Sequence, residues 1–114
     1  MEDSFKGYEQ ITLYGGSLNN KYDFSFSPSA TEDSRGSIPF ETNIVSAVVS
    51  TTTEDNVVVE DLVGNYNVSD NVISCFLSYP SAGAGVYFIN FKLTLDDSSV
   101  WIKQFHRVYC EEIV

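Results

Sequence analysis

The sequence is poor in the residues that build reactive or covalently stapled proteins. Its 114 residues include one histidine, two cysteines, three prolines and six lysines or arginines. His106 with two distant cysteines does not meet the spacing of a zinc site, which draws on several His or Cys ligands. As a general base it would need a nucleophile and an orienting carboxylate beside it, and no GxSxG motif supplies the first. His106 reads instead as an exposed or hydrogen-bonded residue of the last strand. Cys75 and Cys110 have no CxxC spacing and both stand in strand-like runs. Buried free thiols are the favoured reading. A Cys75–Cys110 bridge would need close Cα atoms and an oxidising compartment.

Cations are scarce as well. Six Lys and Arg against sixteen Asp and Glu leave a net charge of −10. That field repels phosphate backbones and anionic membranes, so neither nucleic acid nor membrane is an expected direct partner. It suits solubility and docking onto a basic protein surface. No apolar run reaches membrane-spanning length. Met1-Glu2-Asp3-Ser4 is acidic and lacks the apolar stretch of a signal peptide, so the expectation is a chain made in the cytoplasm.

What is present is a core. Apolar residues make up 43% and aromatics 14%, with eight Phe and seven Tyr, which argues against disorder. A domain of this length buries roughly two-thirds of the surface its unfolded chain exposes, so it needs no staples. Burial has a period of two. Tyr87, Ile89, Phe91 and Leu93 alternate with Asn90, Lys92 and Thr94, which marks them as core positions of a strand. Ile73, Cys75, Leu77 and Tyr79 share one face, while Phe76 joins Ser74 and Ser78 on the other and breaks its polarity. Pro80 ends that strand. Ile44 to Val49 is β-branched, and Thr51 to Asn56 reads as polar turn material. Asp96 to Ser99 is a turn, and Val100 to Tyr109 pairs back as a hairpin. No segment carries apolar residues at helical spacing with caps. Seven or eight short strands with short connections predict an all-β, antiparallel sandwich.

The first thirty-eight residues differ in texture. Gln10 to Tyr14 reads as a short strand ending at Gly15-Gly16, and Tyr22, Phe24 and Phe26 alternate as a half-buried strand. Ser27 to Ser37 reads as a loop or linker. Residues 1–38 therefore read as an extension or arm with one or two strands, and 39–114 as the sandwich. Whether that extension packs on the body is left open.

Residues 39–113 resemble the small immunoglobulin-like virion proteins of tailed bacteriophages. The resemblance is carried by the strand Ile44–Thr53, then Val68-Ser69-Asp70-Asn71-Val72-Ile73-Ser74-Cys75-Phe76-Leu77-Ser78. A glycine loop then leads into Gly85-Val86-Tyr87-Phe88-Ile89-Asn90-Phe91, and Gln104-Phe105-His106-Arg107-Val108 closes the series. The final turn departs from the pattern, since Asp96-Asp97-Ser98-Ser99 has no glycine. The resemblance implies an immunoglobulin-like fold and a structural role in the virion, as capsid decoration or as part of the neck or tail. Its implied partners are capsid, portal or tail proteins, with the chain in multiple copies. It implies no enzyme, no catalytic residues, no cofactor and no metal.

The remaining candidates are surfaces. Trp101, Phe105 and Tyr109 share one parity of the last strand with Lys103 and Arg107. Aromatic side chains with arginine are the composition of interface hot spots, so Trp101, Lys103, Phe105 and Arg107 are an expected interface, with core packing of the aromatics as the competing reading. Adjacent acids at Asp96-Asp97 are the best calcium candidates, but no DxDxDG loop is present and solvated turn charge explains them. Gly83-Ala84-Gly85 lacks the Lys and the succeeding helix of a phosphate loop. Asn67-Val68-Ser69 matches a glycosylation sequon but has no secretory signal behind it. A rival function is a sugar- or receptor-binding module using Tyr8, Tyr14, Tyr66 and Tyr79 near the turns.

Overall fold

The structure is a computed structural model that describes residues 10–29, 37–39 and 41–112, with Gln10, Ser29, Phe105 and His106 described as strand backbone only. The described residues form nine strands and no helix. These are β1 (Gln10–Tyr14), β2 (Asn20–Ser25), β3 (Ser27–Ser29), β4 (Ser37–Pro39), β5 (Ile44–Thr53), β6 (Val63–Ser69), β7 (Val72–Leu77), β8 (Gly85–Leu95) and β9 (Val100–Glu111). One sheet runs β1-β9-β8-β5 and the other β2-β7-β6, with β3-β4 as a short separate pair.

The two sheets are held face to face by the alternation read in the sequence. In β8, Tyr87, Ile89, Phe91, Leu93 and Leu95 all point inward and are buried. In β7, Ile73, Cys75 and Leu77 do the same from the other sheet. Aromatic rings join the layers. Phe91 lies 5.1 Å from Phe24 of β2 and 5.5 Å from Phe26, the second pair edge to face. Each buried side chain of this size contributes about 1.5–3 kcal/mol, which makes the Phe24–Phe26–Phe91 group a principal tie between the sheets.

The sandwich is not wholly antiparallel. β1 pairs parallel with β9, placing Ile11 opposite Val108 and Leu13 opposite Cys110. β3 and β4 are also parallel. The sequence suggests antiparallel order because neighbouring strands are joined by short turns, but β1 and β9 stand at opposite ends of the chain and no turn constrains them. Their pairing also bears on the first thirty-eight residues, whose packing on the body the sequence leaves open. β1 and β2 each belong to a main sheet, and Ile11, Leu13, Phe24 and Phe26 are buried in the common core. The described part of the first thirty-eight residues is therefore body rather than arm; residues 1–9 and 30–36 lie outside the described residues.

β5 is longer than its apolar stretch. It continues through Thr53, where Thr51 to Asn56 reads as a turn in the sequence. Thr51 stands opposite Ile89, is buried, and donates its hydroxyl proton to the Val59 carbonyl at 2.5 Å. The hydroxyl is satisfied, so a polar residue is tolerated in the core. The Val59 amide donates in return to the Thr51 carbonyl at 2.9 Å. Residues 57–59 thus cover this end of the β5 edge, which an open sheet would leave exposed.

Two register shifts shape the surfaces. In β9, Val108 stands opposite Tyr87 but Phe105 opposite Ile89, so one extra residue is inserted near His106 and Arg107. Such a bulge reverses the in–out parity of the residues beyond it. Before it Trp101 pairs with inward Leu93; after it Val108 and Cys110 face inward. The second shift lies in β6 between Val63 and Tyr66.

Candidate interaction surfaces

Cross-strand register assembles a surface that no single segment reveals. On the outward parity of the β5-β8-β9 sheet, Val48 stands opposite Lys92, and Lys92 opposite Ile102. The adjacent row is Ser46, Thr94 and Val100. Val48 is 57% exposed, Val100 52% and Ile102 65%, and Lys92 is exposed among them. Directly opposed residues on one face of a sheet lie about 4.5–5.5 Å apart between Cβ atoms, so these rows form one continuous patch. On its other flank the Gln104 side chain donates to Asn90 at 2.8 Å, and Asn90 to the Thr52 hydroxyl at 3.1 Å. This polar ladder borders the aliphatic rows. The result is an apolar patch with a cation at its centre, on a protein of net charge −10.

Of the predicted interface residues, Trp101 and Lys103 lie on the inward parity of β9, whereas Arg107, beyond the bulge, lies on the outward one. Trp101 packs against the core, and the Lys103 ammonium lies 5.4 Å from the centre of its ring. A cation over an indole face is attractive, so Lys103 caps Trp101. Phe105 falls in the bulge region, and its side chain is outside the described residues. Arg107 is exposed and donates to the Tyr109 hydroxyl at 3.2 Å. The parity reversal at the bulge separates Arg107 from Trp101 and Lys103. The sequence carries a signal for it, since the apolar positions change from odd (Trp101, Phe105) to even (Val108, Cys110) within one run.

The chemical candidates resolve into structural roles. Asp97 accepts from the Ser99 amide at 3.0 Å and from its hydroxyl at 2.5 Å, which holds its carboxyl below the ordinary carboxylate range. Asp96 accepts from the Asn43 side-chain amide at 3.3 Å. Both acids are thereby engaged in the β8–β9 turn and its anchorage to the start of β5. Cys75 and Cys110 are free and buried; burial raises Cys75 to about 12 and Cys110 to about 11. Of the rival tyrosines, Tyr8 lies outside the described residues, Tyr14 is exposed at the end of β1, and Tyr79 is half-buried just beyond β7. Tyr66 sits within β6, just past its register shift, and that strand runs on to Ser69. No family model matches the chain, and no curated protein matches it.

Proposed function

We propose that this chain is an immunoglobulin-type sandwich serving as a structural protein of a tailed-phage virion, acting through protein contacts and doing no chemistry. Strand order supports the fold assignment. β5, β8 and β9 correspond to strands C, F and G of that fold, and β2, β7 and β6 to B, E and D. β1 lies beside β9 instead of β2. Tyr87, near the start of β8, donates to the Gly83 carbonyl four residues upstream, which is the tyrosine-corner arrangement of such sandwiches. The virion role rests on the resemblance of residues 39–113. Small size and acidic charge favour capsid decoration over neck or tail.

The observation that carries the contact mechanism is the Val48–Lys92–Ile102 row. Its occupant in this reading is a second copy, which brings an acidic surface to Lys92 while apolar side chains close around it. A two-fold arrangement through the same patch would bring Lys92 toward its own image, so head-to-tail contact is favoured. The test is sedimentation velocity of the chain and of Ile102→Glu and Lys92→Glu. The parent should associate, and both variants should sediment as monomers. A parent that stays monomeric at every concentration and salt would remove the self-contact. Mass spectrometry of gradient-purified particles tests the virion role, which requires the chain in stoichiometric amount.

A further inference from the structure

The opposite face of the sandwich carries a second feature. The outward parity of β7 is Val72, Ser74 and Phe76, so an aromatic side chain stands on the solvent side of the β2-β7-β6 sheet. Phe76 pairs with Lys21 of β2 across the sheet, and Ser74 with Asp23 and Asn67. The extra residue in β6 between Val63 and Tyr66 bends that strand beside Phe76. Gly64 sits at the bend, and a Cβ there would meet the Phe76 carbonyl at 3.5 Å. A groove of about 360 Å³ results, lined by Lys21, Asn65, Tyr66, Asn67, Ser74 and Phe76. That volume falls in the lower part of the range for small-ligand sites, about 300–1,000 Å³.

We infer that this groove binds a neutral saccharide, with Phe76 as the stacking surface and Asn65, Asn67 and Lys21 as hydroxyl partners. The lining chemistry selects the ligand class. An aromatic side chain in the lining, Phe76, takes the C–H face of a sugar ring. The side chains of Lys21, Asn65 and Asn67 have no hydrogen-bond partner among the described residues, so they bring free donors and acceptors to one place. An amide presents both kinds of group side by side, which matches neighbouring hydroxyls on a ring. Ser74 donates to Asp23 at 2.6 Å, which fixes its hydroxyl and keeps its oxygen available as an acceptor. A nucleotide or phosphate fits less well, because Asp23 stands beside the only lining cation and the whole chain is strongly negative. The groove lies on the sheet opposite the Val48–Lys92–Ile102 patch, so occupying one leaves the other open.

The test is amide chemical-shift mapping of the full chain against maltose, cellobiose, lactose and N,N′-diacetylchitobiose, with inorganic phosphate as the ionic comparison. At least one sugar should move the amides of Lys21, Asn65 to Asn67 and Phe76 in a saturable way at millimolar concentration. Phe76→Ala should weaken that response about tenfold or more, the loss expected when one stacking contact worth about 1.4 kcal/mol is removed. Asn67→Ala lies at the surface and provides the same readout if Phe76→Ala does not fold. Silence with all four sugars, shifts elsewhere only, a response to phosphate alone, or full binding by both variants would overturn the assignment. Sedimentation of Phe76→Ala separates this from the self-contact, which the substitution should leave unchanged.

Discussion

The Tyr87 hydroxyl donates to the Gly83 carbonyl at 2.7 Å, tying the start of β8 to the loop that precedes it. Both partners are constrained. Tyr87 is 3% exposed, so its ring fills the core while its hydroxyl reaches the loop. Gly83 holds φ near +93°, a conformation that costs other residues about 1–2 kcal/mol. Three substitutions separate these contributions. Tyr87→Phe should lose about 1 kcal/mol, the worth of one hydrogen bond. Tyr87→Ala should lose about 3–5 kcal/mol, since the ring volume goes as well. Gly83→Ala should lose about 1–2 kcal/mol although nothing lies within 4 Å of the added methyl, because the cost is conformational. Urea denaturation of the three variants checks the order; a Tyr87→Ala protein as stable as the parent would refute the register of β8.

A chain beginning at residue 39 should not fold. It would lack β1 and β2, leaving the β9 edge unpaired and Phe91 without Phe24 and Phe26. Amide spectra of the 39–114 fragment should show collapsed dispersion. A well-dispersed spectrum would restore the view of the first thirty-eight residues as a separable arm.

The thiols supply a pH-dependent prediction. Burial raises Cys75 from an ordinary 9.0 to about 12, with Asp23 adding to the effect, and burial raises Cys110 to about 11. A folded-state pKa above the unfolded one gives stability that is complete below pH 9 and is lost as pH climbs through 11 and 12. The native protein at about pH 8 should therefore resist iodoacetamide at both cysteines and react fully in denaturant. Rapid labelling of the folded chain would contradict the burial of β7 and β9. Cys75→Ala should not be used to probe the titration alone, since it also opens space between the sheets.

Legibility in the sequence depends on how local each feature is. The core face of β8 is readable because Tyr87, Ile89, Phe91 and Leu93 form an uninterrupted alternation that only an extended strand can bury on one side. The inward face of β7 is readable for the same reason, and so is the turn after Asp96. β9 is not, because the bulge near His106 changes which parity is buried, and a constant period of two then assigns Trp101 and Arg107 to one face. Thr51 reads as turn material because composition registers its hydroxyl but not the Val59 carbonyl that satisfies it. The Val48–Lys92–Ile102 row lies beyond any local reading, since it exists only once three strands are set in register. Phe76 is visible as an anomaly on a polar face, but the bend in β6 that gives it a groove is not.

The β8–β9 turn makes a prediction in the stabilising direction. Ser98 occupies φ near +71°, where an L-residue is strained and glycine is not. The turn nevertheless closes, with the Leu95 amide bonding the Ser99 carbonyl at 2.9 Å and the Ser98 amide bonding the Leu95 carbonyl at 2.9 Å. Asp97 compensates by accepting twice from Ser99, so the bend is held by a side chain in place of a permissive backbone. Ser98→Gly should therefore stabilise the fold, by about 0.5–1 kcal/mol once the added freedom of the unfolded chain is subtracted from the relieved strain. Asp97→Asn should destabilise it and flatten the acid limb. The Asp97 carboxyl has a folded-state pKa below 3.8, so its contribution is present above that pH and is lost as pH falls further. Combining the two substitutions distinguishes the causes. If Asp97 serves only to hold a strained turn, its replacement should cost less in the Ser98→Gly background than in the parent. Equal costs in thermal melts of the two backgrounds would mean that the Asp97–Ser99 bonds act independently of the backbone strain.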